Sequence, residues 1–350
     1  MLYKHQIQFI ADLGYHVAVP CLRGFGHSSQ PPHVSAYSTV EVAKDIIGLV
    51  KALGHSECIA VAHDWGALHC WHHALLYPEV LKALFIVSIP CWEGSPRVGL
   101  SSKVDPLAFA RQIYPKDEAF WYLRYHNYDY LDTVGRPEDE YDADPRTIFR
   151  KMMGHPSEAK VPTDRWKWES AAPARAFGGR KAPPSHRPDD TGWFARFPLP
   201  VEFQNGAFVD EEDKEYWVNQ FTHSGFKHPV DHYRNVDKNW RDFAEDPSML
   251  GRKIEQPTAF IFGGSDGCTA SNDWRGWLTP ADWDGKDPAV WQDAMRNMVP
   301  NLQELVCVPK TGHWILMEAP DAVNPVIRRF LAHPDTQAAI RRPGRTNAKL

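Results

Sequence analysis

The sequence lacks long apolar runs. Nowhere does it approach the ~18 to 20 consecutive apolar residues that a membrane-spanning helix requires. Its first residues, MLYKHQIQFIADLGYHV, also lack the basic, apolar and cleavage regions of a secretory signal peptide. We therefore expect an intracellular protein without a membrane span.

Motifs for metals and cofactors are also missing. The six cysteines, at positions 21, 58, 70, 91, 268 and 307, form no CxxC pair and no Cys/His spacing typical of a metal site. Buried free thiols are the expectation for them. Because no Gly-rich phosphate loop occurs either, we expect neither a metal nor a cofactor.

The charge of the chain is nearly balanced. With 39 basic and 44 acidic side chains, the formal net charge is −5, which gives no electrostatic footprint for nucleic acid or an anionic membrane. The expected partner is a small molecule or a protein. The 350 residues, 43% of them hydrophobic, suffice for one large core or two modest ones.

Short apolar runs alternate with helical stretches, which is typical of a parallel sheet built from βα units. The runs are continuously apolar, so they favour strands that are covered on both faces. The sequence thus predicts an α/β fold with a mostly parallel sheet flanked by helices. The predicted strands are residues 15–22, 58–63, 84–89, 258–262 and 304–308.

Three helices are marked in the sequence. The first begins at Ser38, which has capping-box spacing with Glu41, and it stops at Gly54. The second follows the HDWG segment, and the third covers about residues 322–331. Each predicted helix lies next to a predicted strand, as a βα arrangement requires.

The block between the third and fourth predicted strands has a different composition. It is rich in Trp, Tyr, Pro and charge and shows no clear strands, which indicates an insertion carried on the sheet. The predicted organisation is a core in two parts, an insertion with a Pro-rich excursion, and a polar tail. These are residues 1–92 and 244–335, residues 93–243 with the excursion near 155–200, and residues 336–350.

The strongest local signal is AHDWG at residues 62–66, where an apolar strand ends and a helix begins. A nucleophile elbow needs small residues two before and two after the reactive one, because the strained turn brings backbone segments close. Ala62 and Gly66 meet that need, so Asp64 would lie at the tip of the turn. Taken alone, an Asp that caps a helix is the commoner interpretation.

Two later residues of the chain favour the nucleophile over the helix cap. Asp266, in GGSD, follows one predicted strand, and His313, in TGHW, follows the last one. A nucleophile, then an acid, then a histidine, each placed after a strand, is the order of an α/β-hydrolase triad. The order favours a catalytic role for Asp64.

Four segments together resemble those of the soluble epoxide hydrolases. They are HDWG (63–66), GHW with MEAP shortly after (312–320), YRN followed by NW (233–240) and LRGFGHSS (22–29). The resemblance spans most of residues 1–335, apart from the Pro-rich excursion. It implies an α/β-hydrolase fold with a mainly helical cap domain inserted after the third predicted strand.

The resemblance implies the first half of a reaction. Asp64 would attack the carbon of a small, hydrophobic epoxide and form a covalent ester. Two cap tyrosines would grip the epoxide oxygen and donate a proton to it. Tyr233 matches one of them, and Tyr122 is the first choice for the other, with Tyr125 as the alternative.

The second half of the implied reaction is hydrolysis of that ester to a vicinal diol. His313 would act as general base on water, while Asp266 orients the ring and stabilises the imidazolium. The oxyanion forms on the ester carbonyl. The backbone N–H of Trp65 would receive it, as one donor of an oxyanion hole.

The resemblance also indicates what the beginning of the chain lacks. The family's HGxP loop, which supplies further oxyanion donors, does not occur before residue 20, and three early strands of the family are missing. We expect an N-terminally truncated relative. Hydrolysis of the ester should suffer more than its formation, because a lost oxyanion donor costs about 10²- to 10³-fold in rate. Cys21 also stands where the family more often has Asp.

Two other interpretations stay open. A haloalkane dehalogenase shares the Asp nucleophile and the following Trp, but its chemistry needs N–H donors for a halide instead of tyrosines. A non-catalytic relative would keep the pocket and only bind a ligand. Tyr233 within YRN and the GHW segment favour the epoxide, whereas the short beginning of the chain favours loss of activity.

The last three residues bear on localisation. Ala348-Lys349-Leu350 resemble the C-terminal tripeptide that addresses proteins to the peroxisome, with Ala in place of Ser. They lie on a polar tail, where a receptor could reach them. We therefore expect the protein in the cytosol or in the peroxisome.

Overall fold

The computed structural model of the chain describes residues 2–91, 105–113, 122–129, 131, 135–152, 209–264, 266 and 289–340. Two segments that the sequence singles out lie outside these ranges: the Pro-rich excursion near residues 155–200 and the terminal tripeptide Ala348-Lys349-Leu350. All residues predicted for the site lie within them. The architecture below concerns only this described part of the chain.

Four strands form one parallel sheet across the described ranges. They are hydrogen-bonded in the order of the chain, β1-β2-β3-β4, and all run in the same direction. The residues that follow them therefore emerge at one edge of the sheet, where α/β proteins place their ligand sites. The strands are β1 (Cys58–His63), β2 (Leu81–Val87), β3 (Thr258–Gly263) and β4 (Leu302–Val308).

Helices connect and cover the strands. Around the sheet they are α1 (Lys4–Asp12), α2 (Thr39–Ala52), α3 (Trp65–Leu76), α11 (Ala289–Arg296), α12 (Ile315–Glu318), α13 (Pro320–Ala332) and α14 (Pro334–Ile340). Between β2 and β3 they are α4 (Pro106–Ile113), α5 (Tyr122–His126), α6 (Pro137–Ala143), α7 (Pro145–Met152), α8 (Glu211–Ser224), α9 (Lys227–Tyr233) and α10 (Val236–Ala244). A 3₁₀ turn covers Val34–Tyr37.

The core has two layers, one on each face of the sheet. Leu84 and Ile86 of β2 pack with apolar residues of α2 and α3. Phe85 and Val87, which point the other way, pack with α13 and α1. Because successive side chains of a strand point to opposite faces, this alternation confirms that the continuous apolar run is a strand buried on both sides.

The segment between β2 and β3 is helical wherever the structure describes it. Helices α4 to α10 lie there, which fits the prediction of an insertion without clear strands. The exact limits of the predicted core and insertion stay a prediction. Among the described helices, none has the length and apolar character needed to cross a bilayer.

The ends of α2 confirm one predicted signal and contradict another. The helix stops as predicted, since Gly54 has φ 78° and the N–H groups of Gly54 and His55 donate to the carbonyls of Lys51 and Val50. Ser38 precedes the first helical residue, but its side chain makes no capping hydrogen bond. The predicted capping box is therefore wrong, and Glu41 binds Lys44 instead.

The predicted first strand, residues 15–22, is not a strand. This segment follows α1 without regular secondary structure, much of it is exposed, and it pairs with no strand of the sheet. Its composition suits a strand, but a strand also needs a hydrogen-bonded neighbour. In the described structure β1 pairs only with β2, so its other edge and this segment do not meet.

Gly263, the last residue of β3, lies against the backbone that precedes His313. A Cβ atom there would collide with the carbonyl oxygens of Thr311 and Gly312, which have nowhere to move without shifting the loop. By contrast, a Cβ on Gly48, inside α2, would meet no atom within 4 Å. Replacement by alanine should therefore change the free energy of unfolding in opposite directions at these two glycines.

We predict that Gly263→Ala lowers the free energy of unfolding by about 1 to 3 kcal/mol, the usual effect of overpacking. Gly48→Ala should raise it by about 0.5 to 1 kcal/mol, because alanine is the better helix residue. Urea unfolding of both variants beside the wild type measures these changes. A Gly263→Ala protein as stable as the wild type would contradict the close approach.

Candidate active site

Asp64 forms a strained turn between β1 and α3. Its backbone has φ 50° and ψ −120°, a conformation that costs a residue with a side chain about 1 to 3 kcal/mol. Its carboxylate is 25% exposed and accepts a hydrogen bond from the backbone N–H of Trp65. The elbow and the helix cap, which the sequence left as alternatives, are therefore both present.

The small residues at positions 62 and 66 are not explained by the same packing. Ala62 is buried in the core beneath the sheet edge, where a larger side chain would have to displace its neighbours. A Cβ on Gly66, however, would meet no atom within 4 Å outside its own helix. The prediction that close backbone approach requires a small residue at position 66 is therefore wrong for the described surroundings.

Three predicted residues come together at the carboxyl edge of the sheet. Nε2 of His313 lies 3.0 Å from Oδ1 of Asp64. On the other side of the ring, Nδ1 lies 3.1 and 3.2 Å from the two carboxylate oxygens of Asp266, whose side chain is fully buried. Since a carboxylate only accepts hydrogen bonds, Asp266 fixes Nδ1 as a donor and directs Nε2 toward Asp64.

Four hydrogen bonds from three residues hold the backbone around His313. The carboxylate of Glu318 accepts hydrogen bonds from the N–H groups of Gly312 (2.6 Å) and Trp314 (2.8 Å). The carbonyl of His313 accepts from Nε2 of His63 (2.8 Å) and from the Ser88 hydroxyl (3.3 Å). These contacts fix where the imidazole stands over the sheet edge.

Sequence reasoning missed all three of the residues that hold this loop. Glu318 belongs to the MEAP segment, and its spacing from GHW was the available signal. His63 stands beside the nucleophile position, where a donor to a neighbouring loop could be suspected. Ser88 has φ 70° directly after β2, and nothing in the local sequence announces it.

His63 is kept neutral by its surroundings. Burial, followed by the neighbouring His313 ring at 4.6 Å between centroids, lowers the pKa of His63 to about 4. A backbone carbonyl can only accept, so the neutral ring carries its proton on Nε2. His63 is thus a neutral donor to the backbone of His313.

Of the predicted tyrosines, Tyr233 packs against Trp65 and Tyr122 lies next to Tyr233. The Tyr233 ring, at the end of α9, is 4.4 Å from the Trp65 ring, and the Tyr122 ring, at the start of α5, is 6.0 Å from Tyr233. The hydroxyl of Tyr125 instead donates to Glu140 at 3.2 Å, within the inserted helices. Of the two alternatives for the second tyrosine, the structure brings Tyr122 next to Tyr233.

The YRN segment holds Tyr233 by its two neighbours. Arg234 donates to Asp231 (2.8 Å), to Glu138 of α6 (2.7 Å) and to the carbonyl of His126 in α5 (2.9 Å). Asn235 donates to the carbonyl of Val34 in the core (2.7 Å). The tyrosine therefore stands between an arginine bound to the insertion and an asparagine bound to the core.

The backbone N–H of Trp65 is the predicted oxyanion donor. The N–H of Trp65 already points at the carboxylate of Asp64, which is where an ester carbonyl oxygen would lie. Among the described residues, no group of three or more His, Cys, Asp or Glu side chains is placed to hold a metal ion.

Comparisons with known proteins agree with this geometry. A family model described as alpha/beta hydrolase fold matches residues 2–125. Epoxide hydrolase A of Mycobacterium tuberculosis is 28% identical over 329 residues, 94% of this chain and 85% of that protein. An epoxide hydrolase of Caballeronia sordidicola is 26% identical over 338 residues, 95% of this chain and 84% of that protein.

Solved structures show the same likeness. Epoxide Hydrolase A of Mycobacterium thermoresistibile superposes with a TM-score of 0.72 at 26% identity, covering 95% of this chain and 86% of that one. An epoxide hydrolase from an endophytic Streptomyces gives 0.73 at 26% identity, covering 95% and 85%. With the parallel sheet and the site at its carboxyl edge, these findings define an α/β-hydrolase fold. Within that fold the chain resembles the epoxide hydrolases.

The buried histidines of this region make stability depend on pH. Burial lowers the pKa of His63 and of His232 to about 4 and that of His73 to about 3, against an ordinary value of 6.5. Below pH 6.5 the unfolded chain therefore binds more protons than the folded chain. Stability is complete above pH 6.5 and falls as the pH drops toward 4.

We predict that the urea concentration at the midpoint of unfolding decreases as the pH is lowered from 7.5 to 5. For each such histidine, the free energy of unfolding decreases by up to about 1.4 kcal/mol for every pH unit below the pKa of the unfolded state. Replacing His73 by Gln should make the decrease shallower, because one titrating group is removed. A midpoint that stays constant over this range would show that these rings are not buried neutral.

Proposed function

We propose that the chain hydrolyses an epoxide to a vicinal diol through a covalent ester on Asp64. The observation that carries the proposal is the contact of a carboxylate on a strained strand-to-helix turn with an imidazole, 3.0 Å away. The names of the similar proteins support the same reaction. We further propose that α4 to α10 form the cap over the site, since they carry both tyrosines.

The first step needs a nucleophile that is ionised at rest. A carboxylate, with an ordinary pKa of about 3.9, can displace the epoxide oxygen at saturated carbon without a base. The bond from carbon to Asp64 forms as the ring C–O bond breaks. The leaving oxygen takes a proton from Tyr233, with Tyr122 as the second donor, and a phenolate remains.

The second step hydrolyses the ester. His313 removes a proton from water, and the hydroxide adds to the carbonyl carbon of Asp64. The oxyanion is stabilised by the N–H of Trp65, and the imidazolium by Asp266. Collapse breaks the bond to the ester oxygen, which leaves with the diol and takes the proton from His313. The acid proton left on Asp64 restores the phenol.

The substrate class follows from the residues around the carboxylate. Tyr233 and Trp65 offer ring faces, so the substrate is proposed to be a small, hydrophobic epoxide, with water as the second reactant. The phenols suit an alkoxide leaving group, whereas a halide would need N–H donors. For the place in the cell, cytosol and peroxisome both remain proposals, the latter resting on Ala348-Lys349-Leu350.

We predict that the protein converts a phenyl-substituted epoxide to the diol and releases no chloride from a chloroalkane of similar size. Asp64→Ala should lower diol formation by about 10³-fold or more, as expected for a lost nucleophile. Asp12→Ala, an exposed aspartate at the end of α1, is the matched control and should leave the rate unchanged. Chloride release without diol would assign the chain to the dehalogenases instead.

We also predict that His313→Gln separates the two steps. Because general-base catalysis is worth about 10²- to 10⁴-fold, the ester should form but persist. Intact-protein mass spectrometry after mixing with the epoxide should then show the mass of one added substrate, and peptide mapping should place it on Asp64. An adduct on another residue, or none while the wild type turns over, would exclude this mechanism.

A further inference from the structure

A pair of buried histidines joins the core to the helix that carries Tyr233. Nε2 of His69, on α3, lies 3.2 Å from Nδ1 of His232, on α9. Both side chains are almost fully buried. The proposed reaction uses neither of them, so two buried imidazoles at this junction call for a different role.

The pair continues into the backbone of the core. Nε2 of His232 lies 3.0 Å from the carbonyl oxygen of Arg23. That carbonyl can only accept, so Nε2 of a neutral His232 carries the proton and its Nδ1 is an acceptor. His69 must then donate from Nε2. The chain of hydrogen bonds runs in one direction, from His69 through His232 to Arg23.

The acceptor at the end of this chain is itself held in place. The Arg23 guanidinium donates twice to Asp45, at 2.6 Å each, and once to the carbonyl of Ala36, also at 2.6 Å. Gly24, with φ 88°, turns the backbone directly after it, and a Cβ there would collide with His228 and Tyr37. His232 is thus bonded to two rigid parts of the core.

The pair is also next to the proposed reacting groups. His232 precedes Tyr233 in the chain, and His69 stands one helical turn after Trp65, whose ring is 6.0 Å from His69 and 4.4 Å from Tyr233. We propose that His69 and His232 are positioning residues that hold the Tyr233 hydroxyl over Asp64. This inference rests on the proposed function of Tyr233.

The charge state of the pair supports this role. Burial lowers the pKa of His232 to about 4 and that of His69 well below its ordinary value, so both rings are neutral at neutral pH. With the proton of His69 on Nε2, its Nδ1 keeps a lone pair, and that atom has no hydrogen-bond partner among the described residues. The pair therefore has a single arrangement, as a positioning contact requires.

The test compares two substitutions of His69. His69→Leu removes the donor, whereas His69→Gln keeps an N–H at the same distance along the side chain. Rapid-mixing kinetics with the epoxide measure ester formation and ester hydrolysis separately. We expect His69→Leu to slow ester formation by about tenfold or more, as for a displaced catalytic group, and His69→Gln to restore most of it. Hydrolysis of the ester should not change, because Tyr233 donates its proton only in the first step and is restored after the ester has been hydrolysed.

A double-mutant cycle shows whether His69 acts through the tyrosine. In a Tyr233→Phe background, His69→Leu should have little further effect on ester formation, because the hydroxyl that it positions is gone. Equal slowing in both backgrounds, or equal slowing of both steps, would overturn the proposal. His73→Leu is the control, since His73 is buried on the same helix but donates to the carbonyl of Thr39 and not to α9.

A measurement without turnover keeps the two proposals distinct. Hydrogen–deuterium exchange of peptides covering residues 227–235 reads how firmly α9 is held. His69→Leu should increase exchange there, whereas His69→Gln and His73→Leu should not. Unchanged exchange in His69→Leu would refute the contact even if the enzyme is active. Increased exchange in His69→Leu, together with a wild type that makes no diol, would instead refute only the proposed reaction.

Discussion

The backbone conformation of Asp64 is the constraint on which the rest of the site depends. The turn at Asp64, with φ 50°, takes the chain from β1 into α3 and leaves the carboxylate at the carboxyl edge of the sheet. The strain of about 1 to 3 kcal/mol is offset by the hydrogen-bonded strand before it and the buried helix after it. In this position the carboxylate lies 3.0 Å from Nε2 of His313.

The site therefore combines strain at one residue with many restraints at another. The loop of His313 has no regular structure of its own, yet Glu318, His63 and Ser88 hold its backbone, and Asp266 holds its ring. Such contacts cost little when the partners are already fixed by strands and helices. A mobile base opposite a strained carboxylate would lose the geometry that the strain maintains.

Much of this arrangement can be predicted from the sequence. Asp64, Asp266 and His313 each follow an apolar run, and parallel strands bring such positions to one edge whatever their distance along the chain. The failures concern pairing and close packing. Residues 15–22 have a strand composition but no neighbour to pair with, and the capping box of Ser38 has the right spacing but not the side-chain geometry.

Other features were beyond local reasoning because they depend on contacts between distant segments. The preference for Tyr122 over Tyr125 depends partly on Glu140, which accepts a hydrogen bond from the hydroxyl of Tyr125. The crowding at Gly263 comes from residues almost fifty positions later. The role of Glu318 depends on two N–H groups whose orientation is set only when β4 is in the sheet.

The two steps of the proposed reaction use residues from different parts of the fold. The groups for ester hydrolysis, His313 and Asp266, are on core loops after β3 and β4, whereas the phenols for ring opening are on helices inserted between β2 and β3. A change at the junction of these parts can shift Tyr233 without moving His313. The first step is therefore sensitive to how the insertion sits on the core, while the groups of the second step are held mainly by core residues such as Glu318 and His63. Polar contacts such as those of His232 and Asn235 are consequently placed where an apolar junction would leave the tyrosine free to slide.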